Sequence, residues 1–191
     1  MTIYPSRSVG WRRVWRFAGN RRGASAIEFA LIAPTLIMIY VATIEISSAL
    51  TIYRRTAQVA ATAADLTAQV KSLSKSDIKD IQAASSSILS PYSTSPMSIV
   101  LSSVVADDDN KTKVAWSCAS SGSARATGSF YNVPTGLTEA DSSVIVAEVT
   151  YKYTGLLGLT EFFNPGSFDM KRTFYTRPRR STQVEKTDTG C

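Results

Sequence analysis

Two places in the sequence hold residue types at spacings that could do chemistry. At the first, Arg21-Arg22 precede Gly23-Ala24, and Glu28 follows as the one charge in an otherwise apolar run. A glycine without a side chain leaves the scissile backbone open. A cut after Gly23 would give Ala24 a cationic amine four residues, about one helical turn, from the Glu28 carboxylate. At the second place stand the two cysteines, Cys118 and Cys191. Their separation supports neither a zinc site nor a CxxC redox motif. It leaves an intramolecular bridge, a bond between chains, or a Cys118 thiol packed as a small apolar group beside Val114 and Trp116.

Other chemistry is excluded by composition. The sequence contains no histidine, which removes His-based acid/base catalysis, Ser-His-Asp and Cys-His nucleophiles and His-ligated metals. Serine and threonine hydroxyls are plentiful, yet none has a recognisable activating neighbour or Gly-rich elbow. Asp107-Asp108-Asp109-Asn110 reads as a turn, because a calcium loop needs further oxygen ligands at defined offsets. The expectation is a protein that is not an enzyme and uses no cofactor or metal.

The elements that position these residues follow from charge and hydropathy. Of 21 basic residues, Arg7, Arg12, Arg13, Arg16, Arg21 and Arg22 lie in residues 1–23, where no acidic residue occurs, and the rest of the chain is formally neutral. Such an arm next to an apolar segment reads as a cytoplasmic flank obeying the positive-inside rule, rather than as a nucleic-acid-binding arm. Residues 24–44 are long enough, at about 1.5 Å per residue, to cross the roughly 30 Å hydrocarbon core of a bilayer. No small-residue cleavage site follows the run, so it reads as an anchor rather than a secretory signal. A carboxylate at mid-membrane costs on the order of 2.5–3.5 kcal/mol and less near the interface. Glu28 therefore either pairs with an amine of its own or a neighbouring subunit, or reaches to the headgroups. Glu45, at the far end of the span, reads as an interfacial carboxylate.

Beyond the span, Ile52, Val59, Ala63, Leu66, Val70 and Leu73 keep one helical face. One helix is predicted from about Ala24 to about Leu73, with Pro34 kinking or tilting it. Ser76 is the expected N-cap of a second helix, Asp77 to Leu89, closed by Pro91. Four strands are predicted at Ser98–Val105, Thr112–Cys118, Val144–Tyr153 and Phe168–Arg177. Ile145, Ala147, Val149, Tyr151 and Tyr153 share the buried face of the third, and Phe168, Met170 and Phe174 that of the fourth. Residues 119–129 are expected to be an exposed loop, and the tail from Arg177 to Cys191 to be solvated. The organisation is a leader (1–23), a transmembrane helix (24–44), a helical segment (45–90), a strand-rich domain (91–178) and a polar tail (179–191). The fold class is α+β, with a long amino-terminal helix and an antiparallel sheet of about four strands.

Gly23-Ala24-Ser25-Ala26-Ile27-Glu28-Phe29-Ala30-Leu31, with Pro34 inside the apolar run, Arg54-Arg55-Thr56-Ala57-Gln58 and the Ala-rich residues 60–66, resembles the TadE-like proteins. These are minor pseudopilins of the tight-adherence (Flp-type, type IVb) pilus assembly system. The resemblance implies a pilin-like fold and a leader removed by a prepilin peptidase between Gly23 and Ala24. It also implies that Glu28 and Phe29 serve peptidase recognition or subunit docking. The implied partners are that peptidase, other minor pseudopilins, the Flp-type pilin, the inner-membrane assembly platform and the lipid bilayer, with no nucleic acid. The implied location is the bacterial inner membrane, amino terminus cytoplasmic and outer domain periplasmic. The competing reading is an uncleaved single-pass anchor whose outer domain binds an envelope component. It requires no cut at Gly23.

Overall fold

The computed structural model describes residues 23–155 and 168–191, so the arginine-rich stretch 1–22 lies outside the described residues. The chain divides into two compact units, residues 1–44 and 45–191. In the first unit, residues 24–44 form helix, and Ile27, Phe29, Leu31, Ile37 and Tyr40 are all exposed. This helix, α1, runs Ala24–Ala68 as one element and contains Pro34 without ending there.

In the second unit the sequence order is β1 (Ser72–Leu73), α2 (Lys75–Ser86), a 3₁₀ turn (Ser87–Leu89), β2 (Met97–Ala106), β3 (Thr112–Ala119), β4 (Ser143–Tyr153), β5 (Phe168–Thr176) and β6 (Glu185–Lys186). Strands β2 to β5 make an antiparallel sheet in the order β3-β2-β4-β5, while β1 and β6 pair in parallel. The α+β expectation and the four main strands hold, with ends within a residue or two. α1 is shorter than expected, stopping at Ala68 rather than Leu73, because Ser72 and Leu73 leave the helix to pair with Glu185 and Lys186. The N-cap of α2 is Ser74, not Ser76. Its hydroxyl accepts from Asp77 N–H while the Asp77 carboxylate accepts from Ser74 N–H, a reciprocal pair that Ser76 cannot make.

The core forms where α1 and α2 meet the sheet. Ile52, Val59, Ala60, Ala63 and Ala64 of α1, Ile78 of α2, and Ile99, Leu101, Ile145, Ala147 and Val149 of the sheet belong to one buried cluster. Alanines on the helix let backbones approach closely, and β-branched residues fill the pleat. Burial at about 25 cal/mol per Å² of apolar surface is the dominant stabilising term for such a layer. β4 departs from simple alternation, since Val144 and Val146 are buried as well. They join Val104, Val114 and Tyr131 in a second cluster on the other face. The loop after β3 covers that face. Arg125 grips Glu148 with two hydrogen bonds of 2.7 and 2.6 Å and lies 4.6 Å from the Tyr131 ring centroid.

Two expectations about side chains need correction. Met170 is buried, but Phe168 and Phe174 on the same face of β5 are exposed, because β5 is the sheet edge. In place of a buried Phe174 face, Arg172 stacks over Tyr53 of α1 at 3.8 Å. The tail is also not simply solvated. Val184 is fully buried, and its carbonyl accepts from the Trp116 indole at 2.8 Å.

Candidate functional site

The amino-terminal junction is positioned by the start of α1. Gly23 directly precedes Ala24, the first residue of the helix, and Glu28 follows one turn later on an exposed face with Ile27 and Phe29 beside it. Among the described residues no side-chain hydrogen bond or ion pair reaches the Glu28 carboxylate. A β-carbon added at Gly23 would meet no atom within 4 Å. Packing among the described residues therefore does not demand a glycine here. α1 is long and apolar enough to cross a membrane, its most apolar stretch having a mean hydropathy of 2.0 and no residue buried in the protein. That helix fits a single-pass anchor.

Glu45 behaves differently from the expectation of an interfacial carboxylate. It is only 6 % exposed and lies under the sheet, where the Tyr153 hydroxyl donates to Oε1 at 3.3 Å and approaches the Glu45 carbonyl at 3.5 Å. Its second oxygen, Oε2, is buried without a partner among the described residues. Burial, followed by the neighbouring Glu45 carboxyl and its hydrogen bond, pushes the Tyr153 phenol up to about 12. This pair fixes the start of the outer stretch of α1 to the end of β4.

At the opposite end of α1 the carboxy-terminal strap performs a capping task. The last carbonyls of a helix have no intrahelical donor. Here Arg179 N–H donates to Ala68 O at 2.9 Å, and Arg179 forms an ion pair with Asp65. Further along, Glu185 N–H donates to Lys71 O and Thr187 N–H to Leu73 O. Asp188 then accepts from Lys75 N–H at 2.8 Å, which with Lys186 holds its carboxyl below the usual range. The strap ends at Cys191, which is bonded to Cys118 of β3 across a Cα–Cα distance of 5.5 Å. Sequence reasoning had no signal for this route, since Val184 is a lone apolar residue in a polar tail.

The remaining candidates carry less. Asp107 to Asn110 form the β2–β3 turn, with Asp107 accepting from Lys111 N–H, and no three metal-ligating side chains converge among the described residues. The junction residues Gly23, Ala24, Glu28 and Phe29 and the distant cysteines are not brought into one site; they belong to separate units.

Residues 23–65 match the family described as TadE-like protein, a segment covering less than a quarter of the chain. The chain thus carries a TadE-like segment, beginning at the glycine of the junction. No curated protein and no solved structure matches the chain.

Proposed function

We propose that the chain is a minor pseudopilin that acts, without catalysis of its own, in assembly of a tight-adherence (Flp, type IVb) pilus. The observation that carries this reading is the coincidence of three boundaries. The TadE-like segment starts at Gly23, α1 starts at Ala24, and the arginines of the leader end at Arg22. A glycine that no described residue crowds is suited to recognition from outside, and here the recogniser is a prepilin peptidase on the cytoplasmic side. After the cut, Ala24 carries an amine and Glu28 becomes the fifth residue of the mature chain.

In this reading the span sits in the bacterial inner membrane, with Pro34 as its bend, and residues 45–191 lie in the periplasm. Glu28 is left for a partner, an amine of a neighbouring subunit, because pairing offsets the cost of a carboxylate near lipid. Phe29 beside it contributes apolar contact. The partners are other minor pseudopilins, the Flp-type pilin and the inner-membrane assembly platform. TadE-like segments belong to a pilus-related assembly family, which supports this direction.

The test is amino-terminal sequencing of the membrane-extracted protein co-expressed with the peptidase. The mature chain should begin at Ala24, and Gly23→Leu should stay at full length. Equal processing of both, or a parent that keeps residues 1–23, would sink the pseudopilin reading and favour the uncleaved anchor.

A further inference from the structure

We propose that the Cys118–Cys191 bond is made by a dithiol–disulfide oxidase of CxxC type that engages the chain at Cys191, with Cys118 closing the bond second. The proposal rests on the periplasmic placement of residues 45–191 proposed above.

The two sulfurs stand in opposite surroundings. Cys118 is 1 % exposed, held in register opposite Leu101 in the sheet and roofed by α2. Gln82 of α2 is buried over it, and its side-chain amide donates to the carbonyls of Ile99 at 3.2 Å and Cys118 at 3.4 Å. Cys191 is exposed at the end of the strap. Two open grooves meet at it: one of about 370 Å³ between α2 and the sheet, which Cys118 also lines, and one of about 550 Å³ walled by Trp116, Gln183 and Thr189, which Cys118 does not line. A protein-sized disulfide can approach Cys191 from the second groove without meeting Cys118, which is 1 % exposed beneath α2.

Thiol–disulfide exchange proceeds by attack of a thiolate on a disulfide sulfur, and access decides which sulfur reacts. The Cys191 thiolate attacks one sulfur of the oxidase. The oxidase S–S bond breaks, a mixed disulfide forms, and the oxidase's second sulfur leaves as a thiolate. The Cys118 thiolate then attacks Cys191 Sγ, forming the intramolecular bond and releasing the first oxidase sulfur as a thiolate. Two protons leave the two cysteines, and two electrons end on the oxidase, which departs reduced.

The strap has the means to deliver Cys191 before the bond exists. Arg179, Glu185 and Thr187 donate backbone hydrogen bonds to residues 68, 71 and 73, and Lys186 folds the last residues through Asp188 and Gly190. Seating thus precedes closure, and the bond locks a strap already in place.

The experiment uses the full chain in detergent, reduced, with glutathione disulfide as the probe and Cys118→Ser and Cys191→Ser as separate variants. Under native conditions Cys118→Ser, which keeps Cys191, should form the mixed disulfide about tenfold faster than Cys191→Ser, because exchange follows access. In concentrated urea the two rates should converge. In cells, Cys118→Ser should accumulate a reductant-sensitive complex with a CxxC oxidase, and Cys191→Ser should not. Equal native rates, or an oxidase complex formed through Cys118, would overturn the proposal. A parent chain recovered from cells with two free thiols, while the purified variants still show the Cys191 preference, would overturn the periplasmic placement and leave the order of attack standing.

Discussion

Removing the Tyr153 hydroxyl should destabilise the outer unit only while Glu45 is present. Among the described residues that hydroxyl is the sole side-chain donor to a carboxyl group that is 6 % exposed, and the other carboxyl oxygen has no partner there. Tyr153→Phe therefore leaves both oxygens of Glu45 unsatisfied in a site closed to water. Orphaning a buried polar group costs about 1–3 kcal/mol. The contact is long at 3.3 Å, so the lower half of that range, about 1–2 kcal/mol, is expected. For a unit of this size that corresponds to a fall in Tm of about 3–6 °C.

Glu45→Met supplies the second arm of the cycle. Methionine is a good helix former of similar length, and it removes the unpartnered oxygen along with the carboxyl. Tyr153 keeps its approach to the residue 45 carbonyl, so this change alone should lie within about 0.5 kcal/mol of the parent, as apolar replacement of a poorly satisfied buried group often does. In the Glu45→Met background, Tyr153→Phe should then cost under about 0.5 kcal/mol, leaving a coupling energy of about 1 kcal/mol. Thermal unfolding in detergent, followed by near-ultraviolet circular dichroism, measures all four corners. An equal cost of Tyr153→Phe in both backgrounds would refute the argument, because the loss would then come from ring packing and not from the stranded carboxyl.

Three further outcomes follow from named contacts. Tyr153 titrates higher in the fold than in the unfolded chain, so its contribution is fully present below the ordinary phenol value of 10.0 and drains away as pH rises toward about 12; Tyr153→Phe should flatten the stability profile in that window. Ser74→Ala removes the capping hydroxyl of α2 and should cost about 1 kcal/mol, whereas Ser76→Ala, by the same urea titration, should cost a few tenths at most. Glu28→Ala should leave membrane insertion unchanged and abolish pilus assembly; parental piliation, counted by electron microscopy, would show that Glu28 is only an interfacial carboxylate.

What the sequence reveals of this fold is whatever is local. The apolar run and the helical stripe through Ile52, Val59 and Ala63 specify α1, and the alternation from Ile145 to Tyr153 specifies β4, because each pattern is complete within its own element. The features it hides depend on distant residues. α1 stops at Ala68 with no glycine or proline to end it, since what claims Ser72 and Leu73 is a strand 113 residues further on. The burial of Val144 and Val146 depends on a covering loop whose own sequence is rich in serine and glycine. At α2, Ser74 and Ser76 have equal propensity as caps, and only the position of Asp77 three residues after Ser74 selects the first.

The two carboxylates that bracket the apolar run show where the same limit touches function. Glu28 and Glu45 are alike to a hydropathy scale, each being a single acid at an edge of residues 24–44. Folding separates them. Glu45 has the sheet beside it, takes the Tyr153 hydroxyl, and serves to hold α1 on its own domain. Glu28 has no such neighbour among the described residues, and the helix around it presents Ile27 and Phe29 outward. An acid whose own fold provides a partner is explained by that fold. On the proposed reading, an acid left exposed beside apolar residues, one turn from a glycine that no described residue crowds, takes its partner from another molecule.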